Sequence, residues 1–344
     1  MTGLRASVLI VAFNSKRFLA RQIEALARQS VRDFEVVLLD NASCEEERPT
    51  SGELPAYFKL VQSEVNLGFA GGNNHAARIA TGEHLVLLNP DAFPAEDWLE
   101  KLLAAADAIP EAASIGCTQL RAEDTGRYDG LGDVQHAIGL AYRSAYGAPV
   151  RRFRPKDGET FSACGAAMLV RRAAFAAVGG FDERFFCYGE DLDLGFRLRL
   201  LGWINIQASE AVVHHVGGGS SGARSAFGDF HGARNRLWTF VKNMPATLFW
   251  PLLPIHLLVT GGLVLAYRFT GRGDHAWRGY LAGLAGLPAM FAARTHVQRG
   301  RTASTARIGA ALTWTPLALV RRSPHIRPVD RPRKTRDRGE PAAR

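Results

Sequence analysis

Short apolar runs alternate with amphipathic segments along the first 200 residues, and this alternation restricts the fold more than any other feature. Nearly continuous apolar runs occur at residues 8–12, 35–39 and 85–88. Such runs are typical of strands that are buried on both faces of a parallel sheet. Helical patterns lie between and after them, at residues 16–29, 72–80 and 98–108. The β-α-β-α order predicts an α/β fold with a doubly wound sheet and right-handed crossovers.

Each predicted strand ends in polar residues. These are Asn14 after the first strand, Asp40 and Asn41 at the end of the second, and Asn89-Pro90-Asp91 after the third. Ligands of open α/β sheets bind beyond the carboxyl ends of the strands. Asparagine and aspartate are also ordinary turn formers, but two aspartates at two strand ends of one sheet indicate a binding site. Asp91 is suited to bind a divalent cation that in turn holds a diphosphate.

Three carboxylates, Glu190, Asp191 and Asp193, lie within four residues at the start of a predicted amphipathic helix. A charged first turn explains one or two of them, because helix N-termini favour acidic side chains. The aromatic run at residues 185–188 directly precedes them, and an apolar environment lowers the local dielectric constant. We therefore interpret this segment as the source of a general base.

A glycine-rich segment, residues 66–74, precedes the second helical pattern. Glycines in a loop before a helix let backbone N–H groups approach a phosphate or ribose closely. The segment matches neither G-x-x-x-x-G-K-[ST] nor G-x-G-x-x-G, which disfavours an ATPase and an ordinary dinucleotide enzyme. His214 and His215 precede a second glycine-rich stretch, where an imidazole could reach the same cation. A structural role for this histidine pair is the competing interpretation.

The chain has 344 residues, enough for one large α/β domain and an appendage. Its four cysteines are scattered without metal-binding spacing, which indicates thiols in a reducing compartment. The N-terminus leads directly into a strand pattern and has no signal-peptide core. We therefore expect the catalytic part to lie in the cytoplasm.

The net charge of +9 is concentrated in the last residues, where nine Lys and Arg oppose three Asp and Glu between positions 321 and 344. This tail is rich in proline and lacks apolar periodicity, so it is predicted to be disordered. Anionic lipid is favoured over nucleic acid as its partner, because apolar segments precede it. A solubilising tail without a partner is the third interpretation.

No Asp, Glu, Lys or Arg occurs between residues 248 and 267, and about 20 apolar residues can cross a bilayer core. Pro251 and Pro254 interrupt this run, and Trp250 and Tyr267 lie near its ends like interfacial anchors. Membrane contact, either spanning or interfacial, is preferred to a helical subdomain packed on the protein. Shorter apolar runs follow at residues 280–293 and 308–320. The predicted domains are a catalytic domain at 1–243, a membrane-associating helical region at 244–320 and a basic tail at 321–344.

Taken in chain order, these motifs resemble the family 2 glycosyltransferases of the GT-A fold. Within that family they are most similar to the rhamnosyltransferase-like enzymes of bacterial surface polysaccharide assembly. The resemblance runs from about Ala6 to Trp238. The matching stretches are residues 8–15, 39–43, 66–74, 88–91, 164–172, 178–183, 188–193, 214–215 and 233–236.

The resemblance implies that the chain moves one hexose or deoxyhexose from a nucleotide-diphosphate donor to a glycan, carried on a polyprenyl lipid, with inversion. It implies that Asp191 is the catalytic base, with Glu190 as the competing carboxylate. Asp91 would ligate Mg²⁺ or Mn²⁺, and His215, preferred to His214, would be a further ligand. The residues that it implies for donor binding are Asn14, Asp40, Asn66, Gly68, Gly71, Gly72, Asn73 and Asn89.

Two departures from the family pattern refine this expectation. A typical Asp-x-Asp motif is Asn89-Pro90-Asp91 here, which removes one metal carboxylate but is common in the rhamnosyltransferase-like subgroup. The Gln-x-x-Arg-Trp motif of processive synthases is absent, since the nearest string, residues 234–238, lacks the glutamine. This favours transfer of a single sugar. Subgroup resemblance favours a dTDP-rhamnose donor and leaves UDP- and GDP-sugars open.

We expect the protein at the cytoplasmic face of the plasma membrane, bound to anionic lipid and not to nucleic acid. One alternative is a nucleotidyltransferase that makes nucleotide-sugars. Such an enzyme would need a glycine-rich basic loop after the first strand, where residues 12–15 read Ala-Phe-Asn-Ser. The other alternative is a non-catalytic membrane assembly protein, which the intact Asp40, Asp91 and Asp191 disfavour.

Overall fold

The computed structural model describes residues 3–217, 225–269 and 273–329. The strands of this part of the chain are β1 (Ala6–Ala12), β2 (Phe34–Asn41), β3 (Phe58–Ser63), β4 (His84–Leu88), β5 (Ala92–Pro94), β6 (Ala112–Arg121), β7 (Tyr128–Gly130), β8 (Asp133–Gln135), β9 (Ala141–Arg143), β10 (Gly158–Thr160), β11 (Ala167–Arg171) and β12 (Ile204–His215). The α-helices are α1 (Leu19–Ala27), α2 (Gly68–Ile79), α3 (Trp98–Ala108), α4 (Arg172–Ala177), α5 (Glu190–Leu200), α6 (Ala226–Asn243), α7 (Ala246–Arg268), α8 (Gly273–Ala285), α9 (Leu287–Arg299), α10 (Thr305–Ala311) and α11 (Pro316–Arg321).

One mixed sheet of ten strands organises the fold, in the order β10-β12-β6-β11-β4-β1-β2-β3, with β5 paired to β12 and β7 paired to β6. Strand β1 is parallel to both β2 and β4, so that Val8 lies opposite Val36 and Val86. Strand β11 is antiparallel to both β4 and β6. Strands β8 and β9 form a separate hairpin. The predicted α/β class with a doubly wound mixed sheet is confirmed.

Successive side chains of each central strand point to opposite faces of the sheet, and both faces are covered. Val8 and Ile10 of β1 pack on one side with Trp98 at the start of α3. Leu9 points to the opposite side, where it packs in a second cluster with Leu194 of α5. Because both faces are covered by helices, the central strands read as continuous apolar runs, as the sequence predicted.

The three predicted apolar runs lie inside β1, β2 and β4, and the predicted helix at 98–108 is α3. Strand β3 was not predicted, because it is the outer strand of the sheet and its residues Lys59 and Gln62 are exposed. The predicted glycine-rich loop is wrong in its extent, since α2 already begins at Gly68. Most of that segment is therefore the first turns of a helix.

The C-terminal helices share a core with the catalytic part. Phe185 and Phe196, from the segment around α5, pack in one cluster with Phe240 of α6 and Met290 of α9. The predicted boundary at residue 243 falls at the end of α6. The interior is therefore continuous across this boundary, and the helices form a layer packed on the catalytic part.

Within the described part of the chain, α7 is the one helix that is long and apolar enough to cross a membrane. The mean hydropathy of its most apolar window is 1.9, and 22% of that window is buried inside the protein. The predicted apolar run at 248–267 is thus a single helix. Length and composition alone do not separate a spanning helix from one that lies on a membrane.

The start of the predicted disordered tail is ordered. The backbone N–H of Arg327 donates to the carbonyl of Glu159, and the N–H of Glu159 donates to the carbonyl of Arg327. The Arg327 guanidinium also lies 2.8 Å from the Glu159 carboxylate. The prediction is therefore wrong for residues 321–329, because an ion pair and backbone pairing hold them on the edge strand β10. Residues 330–344 lie outside the described part.

A buried charge cluster joins α5 to α6. The carboxylate of Asp193 is fully buried and accepts from Nε of Arg197 at 2.8 Å, from Nζ of Lys242 at 2.9 Å and from Nδ2 of Asn243 at 2.8 Å. Burial by itself would raise the pKa of Asp193, but Arg197 and Lys242 hold it below its ordinary value. Asp193, the third acid of the predicted catalytic segment, is therefore a structural residue.

We predict that Asp193→Ala lowers the free energy of unfolding by about 3–5 kcal/mol, because it removes the counter-charge of buried Arg197 and leaves Lys242 with Asp182 as its one acidic partner among the described residues. Since the folded pKa of Asp193 lies below the unfolded one, its stabilisation is present above the unfolded pKa and is lost as pH falls through the folded pKa. Urea unfolding of the wild type and of the Asp193→Ala variant, at neutral and at acidic pH, measures the difference in the free energy of unfolding.

Asp107→Ala is the matched control. Asp107 pairs with Arg5 at 2.8 Å, but the two side chains are 60% and 37% exposed. An exposed pair contributes at most about 1 kcal/mol, so this variant should unfold nearly as the wild type does. Equal destabilisation by the two substitutions would contradict a special role for the buried cluster.

Candidate active site

A cavity of about 370 Å³ lies between the carboxyl end of β4, the β8–β9 hairpin and the N-terminus of α5. Parallel strand order places the ends of β1, β2 and β4 at the same edge of the sheet, where the ligands of such sheets bind. The polar residues that line the cavity include Asn89, Asp133, Arg143, Tyr188, Glu190 and Asp191. Two of the predicted site regions therefore meet in one cavity.

The backbone before α5 is held in an unusual conformation. Phe186, Tyr188 and Gly189 have φ values of 63°, 68° and 84°, a region that residues other than glycine rarely occupy. The side-chain N–H groups of Asn235 donate to the carbonyls of residues 185, 187 and 188 at 2.7–2.9 Å. Helix α6 thus fixes the turn that presents Glu190 and Asp191. These hydrogen bonds give the asparagine of the Arg-Asn-Arg motif at 234–236 its role.

Asp191 is the oriented carboxylate of the pair. Its Oδ2 accepts from the N–H of Gly165 at 2.8 Å, and its Oδ1 accepts from the N–H of Leu192 at 2.7 Å. The side chain is only partly buried and lines the cavity. Two backbone donors therefore hold a carboxylate at the cavity wall, where a substrate hydroxyl can reach it.

Glu190 differs from its neighbour in burial and in hydrogen bonding. It is 5% exposed, and its Oε2 has no hydrogen-bond partner among the described residues. Burial, together with the charge of Asp191, raises the pKa of Glu190 well above its ordinary value. The raised pKa disfavours the ionised form of Glu190, whereas Asp191 is less buried and is held by two backbone donors, so the geometry favours Asp191 over Glu190 as a base.

The structure adds two charged residues that were not predicted from the sequence. Asp133 and Arg143 lie on the facing strands β8 and β9 and both line the cavity. Ligand atoms of Asp133, Cys164 and Asp191 lie within 4.8 Å of one another. Burial, and then the charge of Asp191, raises the pKa of Asp133 to about 8. These strands are three residues long, too short for a periodic signal in the sequence.

Strand pairing brings Asp91 beside His215. Strand β5 runs antiparallel to β12 and places Ala92 opposite His215, so Asp91 lies at the same level. His215 Nε2 is 3.3 Å from Asp91 Oδ1 and 3.4 Å from Asn89 Nδ2. His214 points to the opposite face of β12, because successive side chains of a strand alternate. The structure therefore places His215, and not His214, beside the predicted metal carboxylate.

A second carboxylate, Asp129, orients the His215 ring. Asp129 Oδ2 lies 2.8 Å from His215 Nδ1 and 2.5 Å from Arg143 Nη1. Burial by itself would lower the pKa of His215, but its hydrogen bonds with Asp129 and Asp91 raise it to about 9. No sequence signal identified Asp129, because it lies in β7, a strand of only three residues.

The donor set of Asp91 and His215 fits a divalent cation. A carboxylate that binds the distal nitrogen of a ligating histidine is a common feature of metal sites, since it fixes the ring orientation. Here Asp129 holds Nδ1 and leaves Nε2 directed to Asp91. Oxygen and imidazole ligands suit Mg²⁺ and Mn²⁺. The two described side chains leave coordination positions for phosphate oxygens.

Predicted donor-binding residues lie at the ends of β1 and β2. Hydrogen bonds join the loops that follow these two strands into a loop pair. The N–H of Asn14 donates to Ser43 Oγ at 3.0 Å, and the N–H of Cys44 donates to Asn14 Oδ1 at 3.0 Å. Asp40 is 1% exposed, and its Oδ2 has no hydrogen-bond partner among the described residues, although Arg48 Nε lies 3.5 Å away. A buried carboxylate oxygen without a donor is suited to a ligand N–H or O–H.

The glycines of residues 66–74 pack closely and are not part of a loop. A Cβ at Gly72 would lie 2.6 Å from Val11, and a Cβ at Gly68 would lie 2.5 Å from the carbonyl oxygen of Phe186. Gly71, Gly72 and Asn73 are buried in α2. The expected phosphate-binding loop is thus replaced by a helix that supports β1 and the turn before α5. Asn66 is exposed ahead of this helix.

The fold and the cavity define a nucleotide-diphospho-sugar transferase of the GT-A type. The sequence model of the family described as "Glycosyl transferase family 2" matches residues 7–179. The chain belongs to this family. The match decides the choice of enzyme class in favour of a glycosyltransferase and against a nucleotidyltransferase.

Two bacterial relatives have names that refer to rhamnosyl transfer and to O-antigen biosynthesis. The chain is 27% identical, over 75% of its own length and 90% of the relative's, to an N-acetylglucosaminyl-diphospho-decaprenol L-rhamnosyltransferase of Mycobacterium tuberculosis. It is 31% identical, over 60% of its length, to the O-antigen biosynthesis protein RfbC of Myxococcus xanthus, and this match covers 17% of RfbC. The predicted rhamnosyltransferase-like resemblance is confirmed.

Two solved structures share the fold. A mannosyltransferase of Pyrobaculum calidifontis in complex with GDP-Man and Mn²⁺ has a TM-score of 0.51 and 18% identity, over 87% of this chain and 86% of that one. GalNAc-T7 with UDP, GalNAc and Mn²⁺ has a TM-score of 0.51 and 19% identity, over 62% of this chain and 43% of that one. At this identity the likeness establishes the GT-A fold.

Proposed function

We propose that this glycosyltransferase moves one sugar, with inversion, from a nucleotide-diphosphate donor to a lipid-linked glycan acceptor in bacterial surface polysaccharide synthesis. The observation that carries the proposal is that the candidate metal pair, Asp91 and His215, adjoins the cavity that Asp191 lines. Asn89, which contacts His215 of the candidate metal pair, lines the same cavity as Asp191. A diphosphate at the metal pair therefore leaves its sugar facing the oriented carboxylate.

In the proposed reaction, Asp191 accepts the proton of an acceptor hydroxyl as its oxygen attacks the anomeric carbon. The bond from that carbon to the diphosphate oxygen breaks, and the diphosphate leaves on the opposite face of the sugar. Gly165 and Leu192 hold the Asp191 carboxylate in place through their N–H groups. The backbone donors lower the cost of ordering the base before attack.

The donor nucleotide is assigned to the loop pair at the ends of β1 and β2. Asp40, whose Oδ2 has no hydrogen-bond partner among the described residues, would accept from the base or the ribose, and Asn14 lies beside it across Ser43. Asp91 and His215 would hold Mg²⁺ or Mn²⁺, which neutralises diphosphate charge when bound. Asn66 and Gly68, at the start of α2, would border the donor. The buried Gly71, Gly72 and Asn73 would act by supporting this region.

An L-rhamnosyl donor and a polyprenyl-diphosphate-linked acceptor are supported by the Mycobacterium relative, whose name specifies L-rhamnosyl transfer to a diphospho-decaprenol glycan. The choice of dTDP as its nucleotide rests on the subgroup resemblance. The two solved structures contain UDP and GDP-Man, so UDP-sugars and GDP-sugars serve as comparison donors. A lipid-linked acceptor also supports a location at the cytoplasmic face of the plasma membrane, with anionic lipid as a partner.

A donor panel tests the proposed reaction directly. Purified full-length protein with Mn²⁺ should transfer sugar from one of dTDP-rhamnose, UDP-sugars and GDP-sugars to N-acetylglucosaminyl-diphospho-polyprenol, with one sugar added per acceptor. Mass spectrometry of the lipid product identifies the addition. Addition of many sugars would contradict single transfer. Transfer only to a soluble glycan without lipid would contradict the proposed acceptor.

Asp191→Asn keeps the size of the side chain but cannot accept a proton, so we predict that kcat falls by about 10²-fold or more while donor affinity stays close to that of the wild type. Steady-state transfer and donor titration measure the two quantities. Glu190→Gln is the matched variant, and because Glu190 is buried and its raised pKa disfavours the ionised form, this variant should retain far more activity. An inactive Glu190→Gln with a fully active Asp191→Asn would reverse the assignment of the base.

His215→Ala and Asp91→Ala should weaken Mn²⁺ binding in the presence of nucleoside diphosphate, as measured by the electron paramagnetic resonance signal of free Mn²⁺. Asp129→Asn should weaken it by about 10–100-fold through the orientation of His215. His214→Ala is the matched control and should bind Mn²⁺ normally.

EDTA should abolish transfer by the wild type. Full activity of the wild type in EDTA would contradict the assignment of a metal to Asp91 and His215. An equal loss of Mn²⁺ binding in the His214→Ala variant would contradict it too.

A further inference from the structure

An exposed apolar stripe runs along the whole of α7. Trp250, Leu258, Leu265 and Phe269 are 63%, 77%, 58% and 86% exposed. Their spacings of eight, seven and four residues return to the same side of an α-helix. Exposed contiguous apolar surface of this kind marks a site of interaction.

The opposite side of α7 is buried along the same length. His256 Nδ1 lies 2.8 Å from the carbonyl oxygen of Ile138, in the turn of the β8–β9 hairpin, and its ring stacks on Phe240 of α6 at 4.1 Å. Phe249 packs in the shared core and Val264 packs between α6 and α8. From Phe249 to Val264 the helix advances about 22 Å at 1.5 Å per residue. The catalytic part therefore accompanies α7 over most of its length.

This arrangement is incompatible with a helix that crosses the bilayer. A spanning helix passes through about 30 Å of hydrocarbon, and α7 would take its packed neighbours with it. Those neighbours include the irregular backbone of the hairpin turn and α6, which carries buried Lys242 and partly exposed Arg234. Charged side chains and irregular backbone are strongly disfavoured in hydrocarbon.

We propose that α7 lies in the plane of the membrane–water interface, with its exposed stripe in the lipid and its buried side holding the catalytic part. The inference rests on the membrane association in the proposed function and specifies its geometry. An amphipathic helix in this position inserts its apolar face by about 5–10 Å. The occupant of the stripe is a bilayer of anionic phospholipid.

The charge of the C-terminal helical region supports this occupant. Between residues 244 and 320 the only acidic residue is Asp274, and the basic residues are Arg268, Arg272, Arg278, Arg294, Arg299, Arg301 and Arg307. Trp277 and Leu281 of α8 and Trp314 before α11 are also exposed. Tryptophan and arginine together favour the headgroup region of an anionic leaflet.

The same geometry connects the membrane to the cavity. The β8–β9 hairpin contacts α7 through Ile138, and its backbone at residues 135–137 pairs with Thr313, next to exposed Trp314. Its strands carry Asp133 and Arg143 into the cavity wall. A bilayer under α7 therefore places the side of the cavity that the β8–β9 hairpin forms near the lipid surface, where a polyprenyl-linked glycan is anchored.

Binding to vesicles tests whether the stripe meets lipid. Full-length Leu258→Glu/Leu265→Glu protein should partition to phosphatidylglycerol-containing vesicles at least about tenfold more weakly than the wild type, because carboxylates replace inserted apolar side chains. Val65→Glu is the control for binding, since Val65 is 61% exposed in the catalytic part. Unchanged donor hydrolysis by the double variant shows that it is folded and separates this test from that of the proposed reaction.

Label depth then distinguishes a lying helix from a spanning one. Spin labels attached in place of Trp250, Leu258 and Phe269 in vesicle-bound protein should show the same shallow depth. A label at position 258 near the bilayer centre, with the other two near opposite surfaces, would overturn the proposal. It would also be overturned by equal vesicle binding of the double variant and the wild type, or by a dimer in solution that the double variant loses.

Discussion

The charge balance around Asp193 is the interaction on which the rest of the structure depends. Its buried carboxylate is held by Arg197 in α5 and by Lys242 and Asn243 at the end of α6. The first residues of α5 are the two cavity acids, so the position of Asp191, the proposed base, follows from this cluster. The same ion pairs hold α6, and through it the C-terminal helices, against the catalytic part.

Three neighbouring acids thus have three different environments. Asp193 is paired with Arg197 and Lys242, Glu190 is buried with its pKa raised, and Asp191 is held at the cavity wall by backbone donors. The environment, and not the residue type, separates these roles. Asn235 adds the backbone constraint, because it fixes the positive-φ turn that starts the helix.

The sequence predicted the elements that depend on local periodicity and chain order. Strands β1, β2 and β4 are buried on both faces and read as apolar runs, and Asp91 and His215 were identified by their place in ordered motifs. Contacts made by short strands could not be predicted, because Asp129, Asp133 and Arg143 become functional only through pairing with distant segments. The glycines of α2 were misread for the same reason, since close packing against Val11 and Phe186 leaves no periodic trace.

Residues 321–329 show how tertiary contacts override composition. A proline-rich basic segment predicts disorder, but pairing of Arg327 with Glu159 orders it on the sheet edge. In the C-terminal helices the apolar pattern indicated membrane contact but not its geometry. The burial of His256 and Val264 on one side of α7 supplies that geometry.

The central claim is that one carboxylate, Asp191, activates the acceptor for a single displacement at the anomeric carbon. The anomeric configuration of the product, measured by the one-bond carbon–hydrogen coupling at that carbon in nuclear magnetic resonance spectra, tests it most directly. The account predicts a configuration inverted relative to the nucleotide-sugar donor. Retention of the donor configuration would contradict a single displacement and the role assigned to Asp191.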